Sequence, residues 1–218
     1  MNRIPDKSIR MILTDIPYEQ TNNRLNYNLR KINKGNVDIL NFDLEEFLKQ
    51  CVRICNGSIY IFCSTEQVSF IRMYLDSHGY TTRLCIWEKT NPSPANGQYM
   101  WLSGIETCIF GVQSKRRGGD PIFHEHCKNT VWRFPSGRSK IHPTEKPLNL
   151  FEYLINTSSN ENDIILDPCC GSGTTGIACI NTNRNYILFD NGKCDKKGKN
   201  LDKYWANITQ ERINTYLN

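Results

Sequence analysis

The chain has no run of about 18 consecutive apolar residues anywhere in its 218, so no membrane-spanning helix is expected. Met1 to Arg10 is polar and has no apolar segment, which argues against a secretory leader. No internal repeat and no low-complexity tract is present, excluding a solenoid or a largely unfolded chain. With only four histidines, two of them in His124-Glu125-His126-Cys127 and no partnered CxxC nearby, no metal site is expected. Acidic residues fall short of basic ones, 22 Asp and Glu against 27 Lys and Arg. The resulting net charge of +5 permits a polyanionic partner without demanding one.

Cysteine, by contrast, is abundant, with ten residues. In the absence of a leader these thiols are expected to be reduced, in a cytoplasm. Cys63 and Cys108 lie inside apolar runs, where cysteine behaves as a small hydrophobe.

Short apolar runs alternate with amphipathic stretches, the pattern of an α/β protein with a mostly parallel sheet. Strands are predicted at Ile9–Thr14, Ser58–Cys63, Thr82–Trp87, Thr107–Val112, Asp163–Leu166 and Asn185–Phe189. Helices are predicted over Phe42–Cys55, ended by Asn56-Gly57, and over Thr65–His78, stopped by Gly79. Further helices are expected over Pro147–Ser158, from Thr174 to Ile180, and from Leu201 to Tyr216. The length suits one domain spanning residues 1–218.

Asp163 to Thr175 reads as a strand, a tight glycine turn and a helix start. Gly171 and Gly173 let the backbone approach a ligand closely, and Asp167 ends the strand beside them. No P-loop lysine follows, so the turn suits a nucleoside cofactor better than a phosphate. Asp190 ends the next strand, where a carboxylate can accept two ribose hydroxyls. As a bland alternative, it caps the turn into Asn191-Gly192.

Asp15-Ile16-Pro17-Tyr18 follows the first strand at the sheet edge where open α/β folds place ligands. Pro17 restricts Ile16 to an extended conformation and holds the nearby carbonyls in place. A carboxylate, fixed carbonyls and an aromatic ring suit a flat ring bearing an amino group. Accepting both N–H protons localises the nitrogen lone pair for attack, and Tyr18 stacks on the ring. The plainer alternative is a turn with a capping Asp and a surface Tyr.

Together these residues resemble the β-group amino-methyltransferases, the DNA adenine-N6 and cytosine-N4 enzymes. In that family an (Asp/Asn/Ser)-Pro-Pro-Tyr site precedes an Asp-Pro-Phe-x-Gly-Ser-Gly-Thr-Thr loop. Asp15–Tyr18 and Asp167–Thr175 reproduce this circularly permuted order. Trp87-Glu88-Lys89-Thr90-Asn91-Pro92 is similar to the family's Trp-x-Lys-x-Asn-Pro, and His142-Pro143-Thr144-Glu145-Lys146-Pro147 to its His-Pro-Thr-x-Lys-Pro.

The resemblance implies a Rossmann-like sheet with helices on both faces and S-adenosylmethionine as cofactor. It implies catalytic roles for Asp15, Ile16, Pro17 and Tyr18. Asp167, Pro168, Cys169, Gly171, Ser172, Gly173, Thr174 and Asp190 inherit cofactor contacts, with Thr144 and Lys146 at the methionine end. Aspartate at the first catalytic position is similar to adenine enzymes, where serine is more typical of cytosine-N4 enzymes. Ile16 replaces a proline, which relaxes the backbone and predicts slower or altered activity. Cys169 replaces a phenylalanine, predicting weaker cofactor binding.

Gln113–Ile141 interleaves Lys115, Arg116 and Arg117, then Trp132-Arg133-Phe134, then Arg138 and Lys140. Such a mixture suits phosphate contact and base stacking. In the resembling family, target recognition occupies this region. Its shortness here leaves sequence selection limited, or shared with a second subunit. Arg24 and Lys31 lie in Thr21–Gly35, a candidate loop closing over DNA. Two other readings stay open: transfer to RNA or to a protein amide, and a non-catalytic binding relative.

Overall fold

The computed structural model of the chain describes residues 1–18, 42–94, 97–137, 145–192 and 203–218. Its centre is a seven-stranded sheet built from β1 (Ile9–Asp15), β2 (Cys55–Cys63), β3 (Tyr80–Lys89), β4 (Ile105–Gln113), β5 (Val131–Phe134), β6 (Ile164–Asp167) and β7 (Asn185–Leu188). The order across the sheet is β5-β3-β4-β2-β1-β6-β7. Only β4 runs against the rest, pairing antiparallel with β2 and β3, while every other neighbouring pair is parallel. The chain thus leaves β1 for β2 on one side and returns to β6 on the other. That reversal opens a crevice at the carboxyl ends of β1 and β6, where such sheets bind ligands.

Helices cover both faces: α1 (Leu44–Ile54), α2 (Val68–Ser77), α3 (Leu148–Ser158), α4 (Thr174–Asn181) and α5 (Trp205–Leu217). Strand alternation decides which side chain meets which helix. Ile12, Ile59 and Ile61 pack with Leu48, Cys51 and Ile54 of α1 and with Ile71 and Leu75 of α2. Their neighbours Met11, Leu13, Tyr60 and Phe62 face the other way, onto Leu150, Phe151 and Leu154 of α3 and Ala178 of α4. Each such aliphatic side chain contributes about 1.5–3 kcal/mol by leaving water.

The predicted elements are present, with two informative differences. Asn56-Gly57, read as a helix terminator, lies inside β2, which starts directly after α1. The register of β1 on β2 shifts between Ile9 and Met11, and a Cβ at Gly57 would sit 2.1 Å from the Arg10 carbonyl oxygen. The glycine therefore admits a close strand approach. Second, Val131–Phe134 joins the sheet as β5. Trp132, expected to stack on a base, is instead buried against Tyr60 and Phe62, because alternation turns it inward and its neighbour Arg133 outward. No helix among the described residues is long and apolar enough to cross a membrane.

Candidate active site

β1 delivers Asp15 and β6 delivers Asp167 to adjacent positions at the carboxyl edge. Thr14 Oγ1, fully buried, donates to Asp167 Oδ1 at 2.8 Å and ties the two strand ends together. Thr175 and the Cys169 amide also donate to Asp167. Burial pushes the Asp167 carboxyl up to about 7, against these donors, which favour its charged form.

The turn after β1 is held at several points. The Ile16 amide donates to the Phe62 carbonyl at 3.1 Å, and Gln67 Nε2 donates to the Pro17 carbonyl at 3.1 Å. The relaxed backbone expected from Ile16 is thus not what the structure shows: this side chain is buried and its N–H, which a proline lacks, bonds to β2. Among the described residues the Ile16 carbonyl accepts no hydrogen bond.

Lys146, immediately before α3, sends its ammonium to this turn, with its side chain only 3% exposed. It pairs with Asp15 Oδ2 and, at 3.0 Å, with Glu106 Oε2 of β4. Lys89 closes on the other Glu106 oxygen at 2.7 Å. Tyr18 Oη donates to Glu106 at 3.1 Å, and the Lys146 ammonium lies 5.5 Å from the Tyr18 ring centroid. Lys146, expected at the methionine end of a cofactor, is thus found in the network around Asp15.

Burial raises the Asp15 carboxyl to about 6, with Lys146 opposing and Glu106 reinforcing the shift. Burial also works against Glu106, but Lys146 and Lys89 together bring it down to about 2. Two lysines serve Glu106 and one serves Asp15, so the two carboxylates are driven apart. For Lys146, burial disfavours the charge, but the two carboxylates outweigh it and the ammonium is stabilised. Among the described residues, Asp15 Oδ1 is buried with no hydrogen-bond partner.

The glycine loop lies beside this network. Gly171 and Gly173 have φ of 48° and 85°, the left-handed region that glycine tolerates. Asp190 accepts the Gly171 amide on one oxygen and the Gly192 amide on the other, each at 2.8 Å. It therefore both caps its own turn and fixes the loop, with further lone pairs remaining. Glu145 Oε1 meets Arg212 of α5 at 2.7 Å and Thr174 at 3.2 Å, while its Oε2 is buried without a donor among the described residues. Arg212 also donates to the Ser172 carbonyl and hydroxyl, each at 3.1 Å. Cys169 lies half-buried against the core, and Pro168 precedes it in the turn.

The basic residues divide by edge. Arg133 reaches the carboxyl edge and pairs with Glu88 at 3.1 Å. Lys115, Arg116 and Arg117 form a short 3-10 turn after β4, at the opposite edge beside the start of β3. At about 3.3 Å per residue, β4 from Glu106 to Gln113 separates the edges by roughly 20 Å. The triplet therefore does not share a face with Asp15. Arg24, Lys31, Arg138, Lys140 and Thr144 lie outside the described residues.

Sequence reading missed Glu106, Lys89, Glu145, Gln67 and Arg212. The signal for Glu106 was a lone carboxylate in the apolar strand Ile105–Gln113. Lys89 stood inside a motif already noticed. The remaining residues of that motif fasten β5: Trp87 Nε1 donates to the Phe134 carbonyl at 2.9 Å, and the Asn91 side-chain amide exchanges two bonds with Ser136.

A glycine loop and a strand-end carboxylate stand at neighbouring positions on the carboxyl edge of a Rossmann-like α/β sheet. The DNA methylase family of N6 and N4 methyltransferases matches residues 9–197. The chain belongs to that family of S-adenosylmethionine-dependent enzymes. It is 30% identical to the Type II methyltransferase M2.MboI of Moraxella bovis over 217 residues, covering 86% of this chain and 77% of the relative. It is 29% identical to the Type II methyltransferase M.HpaI of Haemophilus parainfluenzae, over 100% of this chain and 72% of the relative. Among solved structures it is similar to the M1.HpyAVI-SAM complex, with a TM-score of 0.68 and 29% identity, covering 98% and 91% of the two chains.

Proposed function

We propose that the chain methylates adenine N6 in DNA, taking the target base turned out of the duplex between Asp15 and Tyr18. The observation that carries this reading is Asp15 Oδ1, buried and without a donor among the described residues. An acceptor left unsatisfied inside a protein costs about 1–3 kcal/mol, and an amino group is the donor that relieves it. The neighbouring Ile16 carbonyl accepts the second N–H. Lys146 pins Oδ2, so the free oxygen has one orientation. Tyr18, tethered through its hydroxyl to Glu106, offers its ring to the base.

S-adenosylmethionine supplies an electrophilic methyl group on a sulfonium. The loop fits such a cofactor: Gly171 and Gly173 admit close approach, and Asp190 retains lone pairs for ribose hydroxyls. The buried Glu145 Oε2 is an acceptor of the kind a methionine ammonium satisfies. With the cofactor bound, Asp15 would accept the amine N–H and so hold the nitrogen lone pair toward the methyl group that the cofactor supplies. The methylated nitrogen then loses a proton, and a carboxylate whose pKa is raised to about 6 is well matched to take it.

DNA is the partner in this reading, and a second subunit enters it only through the shortness of Gln113–Ile141. The single-domain, permuted organisation is part of the same proposal. So is a reducing cytoplasm, in which the described cysteines, all free and only Cys127 exposed, remain thiols. Incubation with tritiated cofactor and unmodified DNA, followed by nucleoside analysis and methylation-sensitive sequencing, tests it. N6-methyladenine at one sequence context is expected. N4-methylcytosine would overturn the base assignment, and label on RNA or protein alone would overturn the DNA assignment.

A further inference from the structure

The loop joining β3 to β4 carries four consecutive large apolar side chains in water: Tyr99 is 73% exposed, Met100 57%, Trp101 97% and Leu102 43%. Ile105, 52% exposed, extends the patch to the start of β4. Scattered exposed hydrophobics are ordinary, but a contiguous group marks a surface that something covers.

Its place in the fold limits what that is. The loop leaves β3 at Lys89 and enters β4 beside Glu106, and these two residues form the 2.7 Å ion pair that walls the Asp15 network. The Lys89 amide closes the neck of the loop on the Gly104 carbonyl at 2.7 Å, and Asn91 anchors its first limb to Ser136. The tip packs on itself: the Gly97 amide bonds to the Pro94 carbonyl at 3.0 Å, and a Cβ on Gly97 would stand 2.8 Å from Leu102. An apolar tip thus stands on a braced stem whose two feet, Lys89 and Glu106, border the proposed amine pocket.

We propose that Tyr99–Leu102, with Trp101 foremost, is the wedge that enters the DNA base stack at the position the target base leaves. The inference rests on the proposed function. Turning a base out of a duplex sacrifices stacking on both sides of the gap, and an inserted aromatic ring restores part of it while burying its own exposed surface. A tip on the far edge of the sheet could not do this, because the gap and the turned-out base belong to one nucleotide. A second copy of the chain seated on the same tip would stand between DNA and the pocket.

The test compares two duplexes bearing the sequence context found by methylation sequencing, one with the target base paired and one with it opposite an abasic site. Trp101→Ala is expected to lower kcat/KM on the paired duplex roughly ten-fold or more and on the abasic duplex less than about three-fold. Trp101→Phe, which keeps a ring, should retain most of the wild-type rate on both. The melting temperature should not move, since the side chain lies in solvent. Equal losses on both duplexes, or no loss on either, would overturn the proposal. So would a dimer in sedimentation velocity that Trp101→Ala dissociates with equal loss on both duplexes. A wild-type protein inactive on both duplexes would instead refute the proposed function, a result distinct from an active enzyme indifferent to its tip.

Discussion

Lys146 occupies one oxygen of Asp15, and the other is buried and without a donor among the described residues. The pair is asymmetric because Lys146 divides its charge between Asp15 and Glu106, whereas Glu106 also draws on Lys89. Asp15 is thereby oriented without being saturated. Asp15→Ala should reduce methyl transfer by at least about 10³-fold, since both the acceptor and the orientation of the amine are lost. Tritium incorporation measures the loss, and far-ultraviolet circular dichroism should show the fold retained. Residual activity within ten-fold of wild type would remove Asp15 from the reaction.

Asp15 is a strong acceptor and can take up a proton only when ionised. With its pKa raised by burial to about 6, kcat/KM should fall as pH drops through about 6. Glu106→Gln removes a negative charge that raises the Asp15 pKa and releases Lys146 to serve Asp15 more fully. Both effects favour the Asp15 carboxylate, so the acid limb should move down by about one pH unit. A pH profile of the variant that is unchanged, or shifted upward, would contradict the coupling.

Lys146→Met deletes the shared cation and leaves two carboxylates in a half-closed site. Breaking such a pair costs about 3–5 kcal/mol, so the melting temperature should fall by several degrees along with activity. A second change, Glu106→Gln in the Lys146→Met background, should recover part of the stability by removing one uncompensated charge. Urea unfolding of the single and double variants reads the difference.

Gly173 lies at the mouth of the glycine loop with φ 85°, and a Cβ there would meet Thr209 Cγ2 at 2.6 Å. Gly173→Ala should therefore cost at least about 1–2 kcal/mol from backbone strain alone. It should also weaken S-adenosylmethionine binding by calorimetry, because the loop must shift away from α5 to make room. Equal affinity in variant and wild type would show that the loop does not shape the cofactor site.

Replacing Ile16 by proline restores the family's residue but deletes the N–H that bonds to the Phe62 carbonyl. A loss of about 1 kcal/mol in stability is expected, with no gain in rate. An accelerated variant would show that the turn was held too loosely in the native chain.

Most of the architecture was legible because strands and helices bury regular stripes. The runs ending at Asp15 and Asp167, and the helical spacing of Phe47, Leu48, Cys51 and Ile54, announce themselves through periodicity alone. Val131–Phe134 escaped because a four-residue edge strand is too short for alternation to stand out among basic neighbours. Asn56-Gly57 misled because a glycine that ends a helix and one that admits a close carbonyl read alike.

By itself the sequence determined the alternation of elements, the two strand-end carboxylates Asp15 and Asp167, and the glycine loop, since each depends on residues near one another in the chain. The joining of Asp15, Lys146, Glu106 and Lys89 was decided only by tertiary structure. These four come from separate elements, and what sets their charge states is mutual distance and loss of water. Neither quantity is written in local spacing. The same holds for the basic turn at Lys115–Arg117, which the antiparallel run of β4 carries to the far edge, away from the site its composition suggested.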